Sequence, residues 1–266
     1  MASRKQAKMD RRAQIEAMRA KERARQRKIR FAWIGGGGVV VIAAVVAIVL
    51  AVTSSSAPKP VTTSTEVMPP GVSGQTTVEG PALTVTASTG ISGVTAYDTT
   101  GWPTSSNNGP AGKALGHNHV NGPVTYSVTP PVGGDHNATW MNCGVYDKPV
   151  PTERAVHNME HGAIWITYQP SLPKSELDQL YAFFAKQKTI TPQGGGAATS
   201  SRYLDITPYP GLPSPIVVTS WGFQLKLTSA TDPRLQQFVD KFRFSQASTP
   251  EYGGACVGGV GTPLKS

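Results

Sequence analysis

The sequence predicts an α+β protein. It reads as an N-terminal transmembrane helix, a flexible linker, and then one loop-rich α+β domain with a mainly antiparallel sheet and two amphipathic helices. Three observations predict it. A single long apolar run stands near the N-terminus, at Phe31–Val52. Short β-branched and aromatic runs follow residue 160. Between and after those runs, apolar residues recur at helical spacing.

The 266-residue chain carries a formal net charge of +9. Residues 1–30 hold twelve Lys/Arg against Asp10, Glu16 and Glu22, and so carry the whole excess; the remainder has thirteen basic and thirteen acidic side chains. The basicity belongs to one arm. That arm contains no aromatic residue on which a base could stack, so no nucleic-acid partner is expected; its expected roles are holding topology and meeting anionic lipid.

Phe31–Val52 has twenty-two residues without a charged side chain. As a helix it spans about 33 Å, enough for a hydrocarbon core of roughly 30 Å. Only Lys59 follows closely on the far side. This asymmetry places the 1–30 arm in the cytoplasm and the C-terminal bulk outside, in a single-pass cell-membrane protein. A cleaved signal peptide is the rival reading, with Ser55-Ser56-Ala57 as its site, but Pro58 follows directly. Residues 53–90 are rich in Ser, Thr, Pro, Val and Gly with no sustained period, and are read as a flexible extracytoplasmic linker.

The domain is placed at 91–261, with 262–266 as a tail. Gly and Pro are dense through residues 100–160, which predicts loops and short strands. Ala163–Tyr168 reads as a buried strand, and Leu177, Leu180, Tyr181 and Phe184 as a helix face with Ser171 or Ser175 as N-cap. Pro215–Trp221 reads as a second buried strand. Phe223, Leu225 and Leu227 alternate with Gln224 and Lys226 as a third. Asp232-Pro233 is a cap-plus-first-turn signal ahead of the stripe Leu235, Phe238, Val239 and Phe242. The order strand–helix–strand–strand–helix predicts helices packed on one face of the sheet.

Cys143 and Cys256 are the only cysteines, both on the side placed outside. An even count in an oxidising compartment points to a disulfide; thiolate metal ligation or a redox role is the alternative, without a C-x-x-C pair to support it.

All five histidines fall between residues 117 and 161. On one helical turn His157, Glu160 and His161 stand at i, i+3 and i+4, hence on one face. Two imidazoles and a carboxylate there, closed by His119 or His136, make a candidate site for zinc or copper. The candidate metal ligands are therefore His119, His136, His157, Glu160 and His161. The alternative is a structural network in which the rings bond loop backbones. The letters also match H-x-x-E-H, but Gly162 ends the turn and a strand follows, whereas that signature needs a long helix. Asp135 and Asp147 read as turn residues. Neither G-x-S-x-G, a P-loop nor a dinucleotide fingerprint is present.

Tyr126, Pro130, Pro131, Gly134 and His136, then Cys143 to Tyr146, then Val156, His157, Asn158, Met159, Glu160, His161 and Gly162, together resemble the bacterial domain-of-unknown-function 3105 family. The likeness takes in His119-Val120, Trp221-Gly222 and Pro250-Glu251 ahead of Cys256, and covers most of 91–261. Val132, Gly133 and Asp135 depart from the family's Pro-Pro-Thr-Ser-Gly-Pro-His form. The resemblance implies a single-pass membrane protein with its domain outside the cytoplasm, and no established activity. Three functions stay open: a metal-binding domain, a structural or interaction module of the envelope, and a metal-dependent hydrolase.

Overall fold

A computed structural model describes residues 65–99 and 115–266. The basic arm, the apolar run 31–52 and the start of the linker lie outside the described residues. Among the described residues no helix is long and apolar enough to cross a membrane.

The strands are β1 (Thr77–Val78), β2 (Thr84–Val85), β3 (Val94–Tyr97), β4 (His119–Val120), β5 (Val124–Thr125), β6 (His136–Asn137), β7 (Ile164–Tyr168), β8 (Leu204–Pro208), β9 (Ile216–Ser220) and β10 (Phe223–Leu227). The helices are α1 (Thr152–Glu160), α2 (Lys174–Lys186) and α3 (Pro233–Phe242). The main sheet has the order β2-β3-β10-β9-β7-β8 and is antiparallel except between β7 and β8. That parallel pair requires a crossover, which α2 supplies.

The predicted α+β class with a mainly antiparallel sheet is the one observed, and the strands read at 163–168, 215–221 and 223–227 form as β7, β9 and β10. Alternation then decides the layers. Ile164, Ile166, Leu204, Ile206, Ile216, Val218, Leu225 and Leu227 face one side, where Leu180 and Phe184 of α2 and Leu235, Phe238, Val239 and Phe242 of α3 cover them. Trp165 and Trp221 join Met141, Tyr146 and, from α1, Ala155, Val156 and Met159 in a separate cluster. The expectation of two helices on one face is thus corrected: a third helix, α1, packs with Trp165 of β7 in that cluster.

Two local readings also differ. Asp232 caps α3 as expected, its Oδ1 accepting from the Arg234 N–H at 2.9 Å. Neither Ser171 nor Ser175 caps α2, whose N-cap is Pro173. The Glu176 carboxylate in its first turn instead accepts from Ala230 N–H at 2.6 Å and so ties α2 to the approach to α3. The second difference concerns residues 65–90, read as tether, which are hydrogen-bonded into the domain. β1 pairs β5 and β2 pairs β3, while Val67 bridges Thr262. Two-residue strands of this kind carry no detectable period, because their order comes from the partner strand.

Cys143 and Cys256 form a disulfide that closes a separation of 113 residues, with Cα atoms 5.3 Å apart. Beside it, Cys143 N–H donates to Cys256 O at 2.8 Å. The closing tail runs on through Asn142 N–H to Val260 O at 2.8 Å and Val145 N–H to Lys265 O at 2.8 Å. Replacing both cysteines with serine is expected to lower the unfolding free energy by about 4–5 kcal/mol, the chain-entropy value for so long a loop, measured by urea denaturation.

Candidate metal centre

Helix α1 builds the site. Its C-terminus closes with the Ala163 N–H on Asn158 O at 2.9 Å and the Gly162 N–H on Met159 O at 3.0 Å. This six-to-one and five-to-two pair needs a left-handed residue at its centre, and Gly162 supplies it with φ +101°. The chain then turns at once into β7, so His157, Glu160 and His161 end a nine-residue helix beneath the sheet. Every residue from Glu153 to Glu160 is buried, five of them polar or charged.

Three buried rings are held in the same way. His136 Nδ1 lies 2.8 Å from Gly134 O, His157 Nδ1 2.6 Å from Asn137 O, and His161 Nδ1 2.6 Å from Ala255 O. A backbone carbonyl only accepts, so each Nδ1 carries the proton and each neutral ring keeps its lone pair on Nε2. Those Nε2 atoms converge. His157 and His161 stand 3.0 Å apart, Nε2 to Nε2. His136 Nε2 lies 2.8 Å from Glu160 Oε2, and the exposed His119 Nε2 lies 3.7 Å from the same oxygen.

Lone pairs facing lone pairs, or a lone pair facing a carboxylate, repel unless a proton or a cation lies between them. Although close, His136 Nε2 and Glu160 Oε2 are not aligned for a hydrogen bond, and neither has a hydrogen-bond partner. Two orphaned polar atoms with almost no solvent access are costly, about 1–3 kcal/mol each. Burial, reinforced by His161 and His136 alongside, pushes His157 down to about 3, which keeps that ring neutral at pH 7. Burial raises the Glu160 carboxyl, and only an N–H or positive charge presented from the His119 and His136 side pulls it below the usual range. Contact with Glu160 raises His119.

Of the residues singled out from sequence, His119, His136, His157 and Glu160 bring one ligand atom each within 4.8 Å of one another. Tetrahedral zinc with bonds of 2.0–2.1 Å sets its ligand atoms about 3.4 Å apart, so small side-chain adjustments fit this set to the ion. His161 belongs to a second group with His157 and Glu251. His117 is in neither. Asp135 accepts from Asn118 N–H at 2.8 Å and from its Nδ2 at 3.0 Å, as a turn residue should.

Sequence reasoning missed Glu251 and Trp140. Glu251 Oε2 lies 3.5 Å from His161 Nε2, and the Trp140 ring stands 5.7 and 5.4 Å from the rings of His157 and His161. Two signals pointed to Glu251: its place in the family likeness as Pro250-Glu251, and its position five residues before Cys256, since the disulfide brings that stretch to Cys143. The third helix and the parallel strand were missed too. In β8 the fully buried Asp205 interrupts the apolar pattern and Pro208 stands at the end of an edge strand.

Asp205 sits beside the disulfide. Its Oδ2 accepts from Asn158 Nδ2 at 2.8 Å and its Oδ1 from Gly144 N–H at 3.1 Å. Cys143 Sγ stands 3.7 Å from Oδ2; a disulfide sulfur has no proton to give, so it faces the acid as an acceptor. Burial pushes this carboxyl up to about 7.

The architecture and the cluster define a class: a mixed α+β domain whose sheet shelters a histidine–glutamate cluster at a helix C-terminus. The chain belongs to the family described as "Protein of unknown function (DUF3105)", whose model matches residues 117–258. No curated protein and no solved structure matches it.

A pH dependence follows from Asp205. Between its ordinary value of 3.8 and about 7 the folded chain keeps a proton that the unfolded chain has released. The stability this group contributes is complete below the lower value and is lost as pH rises through the upper one. The unfolding free energy of the native chain minus that of Asp205→Asn should therefore fall across that interval and be flat on either side, measured by urea midpoints in chelator.

Proposed function

We propose that this chain is a single-pass membrane protein presenting a metal-binding domain outside the cytoplasm, with zinc or copper(II) held by His119, His136, His157 and Glu160. One observation carries the metal reading: His136 and His157, two buried ligands of the set, are fixed through Nδ1 to carbonyls, so that their Nε2 lone pairs converge with His119 Nε2 beside the buried Glu160 carboxylate. Second-sphere anchoring of this kind is the usual way a protein aims imidazole at an ion. A nitrogen-and-carboxylate set without thiolate suits borderline divalent ions. The set would neutralise one of the two charges of a dication through Glu160.

Binding is favoured over hydrolysis. Glu160 is the carboxylate nearest these rings, and as one of the four ligand groups its oxygen faces the ion instead of standing free to take a proton from water. The membrane placement rests on the basic arm and the apolar run of the sequence.

The second reading is a structural network, which the Nδ1 bonds of His157 and His161 favour because they tie the loops at Asn137 and Ala255 to the end of α1. Elemental mass spectrometry on the full-length chain, purified without a polyhistidine tag, separates the two. Near-stoichiometric metal is expected in the native protein and in His117→Ala, with loss in His136→Ala and His157→Ala. Added zinc at a hundred times its Kd should raise the unfolding free energy of the stripped chain by about 2.7 kcal/mol. A folded chain that takes up no ion establishes the structural network instead.

A further inference from the structure

His157 is common to both ligand groups, and it has one lone pair to offer. Its Nδ1 is committed to Asn137 O at 2.6 Å, so it has no second nitrogen with which to bridge two ions as an imidazolate. An ion held by His119, His136, His157 and Glu160 therefore excludes one held by His157, His161 and Glu251. The two seats are alternatives with a shared pivot.

They also differ in construction. The four-donor seat is assembled from β4, β6 and α1, and three of its ligands are buried. The three-donor seat joins the end of α1 to the segment 251–255. There Ala255 O holds the His161 ring, and the Glu251 N–H donates to Glu160 O at 3.0 Å. Its outer ligand, Glu251, is 54% exposed. With three donors it leaves coordination positions in which an arriving ion retains a ligand from its carrier. A fourth protein donor then makes the other seat the better resting place.

We infer that the cluster is a one-ion exchange site. The ion enters and leaves through the His157, His161, Glu251 seat and rests in the His119, His136, His157, Glu160 seat, swinging about His157 Nε2. The inference rests on the metal-binding reading and adds to it a route and a stoichiometry. It assigns Glu251 and His161 to transfer and His136 to retention. The ion's source is a carrier able to share a ligand during the handover, such as a small chelator with carboxylate or amine donors.

The test uses the full-length chain and zinc, with a chromophoric chelator read at equilibrium and by stopped flow. The native chain should bind one zinc. Glu251→Ala should slow both loading and release by about tenfold while moving Kd by less than about threefold, since a residue used only in passage alters a barrier and not the end states. Gly254→Ala should do the same with every ligand still in place. A methyl there would overlap the His161 ring, and its backbone needs no left-handed conformation. His136→Ala should weaken Kd by about a hundredfold.

Two zinc ions per chain would overturn the shared pivot. So would a Kd loss in Glu251→Ala as large as that in His136→Ala, which would make Glu251 a resident ligand, or unaltered transfer rates in both Glu251→Ala and Gly254→Ala. No zinc at all would instead sink the metal-binding reading on which this one rests.

Discussion

The constraint on which the rest of the structure depends is a short helix buried on all sides while carrying five polar or charged side chains. Burial of such groups without partners costs more than a domain of this size has to spare, and four of the five, Glu153, Arg154, His157 and Asn158, recruit a piece of chain. Glu153 takes the Val124 N–H at 2.9 Å. Arg154 donates to Pro70 O at 2.7 Å, Thr139 O at 2.7 Å and Asn137 Oδ1 at 3.0 Å. Asn158 reaches Asp205 and Cys143, at 2.8 and 3.3 Å. The loops around residues 70, 124, 137 and 143 are gathered to that helix, which explains how residues 115–151, rich in Gly and Pro, are held without long strands.

Read this way, the cluster and the disulfide are two ends of one arrangement. His161 is steered by Ala255, the neighbour of Cys256, and Cys256 is bonded to Cys143, which touches Asn158 on the helix that carries His157. The Asn137 side chain is likewise engaged, its Oδ1 accepting from Arg154 and from the Thr139 N–H at 3.0 Å. The asparagine of the only local glycosylation sequon is thereby built into the wall behind His157.

Much of this was legible in the sequence where local pattern and tertiary environment agree. Alternation through Phe223, Leu225 and Leu227 and the Asp232-Pro233 start translate directly into structure, whereas His161, read from its spacing with His157 and Glu160, falls in a second group with Glu251. What stayed hidden depends on contacts that no local pattern encodes. The α1 sequence is too polar to read as a packed helix because its polar groups are satisfied by distant loops. Strand β8 is broken in pattern by Asp205, which is buried only because Asn158 and Gly144 meet it. The strands of residues 77–85 are ordered by their partners, and Glu251 reaches His161 from ninety residues away in sequence. The ring orientations, which decide what the cluster does, come from carbonyls at 134, 137 and 255.

The bridge between Val67 and Thr262 has a mechanical meaning. Its two hydrogen bonds, Val67 N–H to Thr262 O at 3.0 Å and Thr262 N–H to Val67 O at 2.7 Å, are antiparallel and lie where the chain first enters the domain. A pull arriving from the N-terminal side meets that pair together with the Glu66 carboxylate on the Asp147 N–H at 3.0 Å. The tail behind it is clamped again by Val145 against Leu264 and Lys265, and by Asn142 against Val260. Once these ties give, the next along the entry segment is Pro70 O on Arg154 of α1, so tension on that segment is delivered to the helix that carries His157.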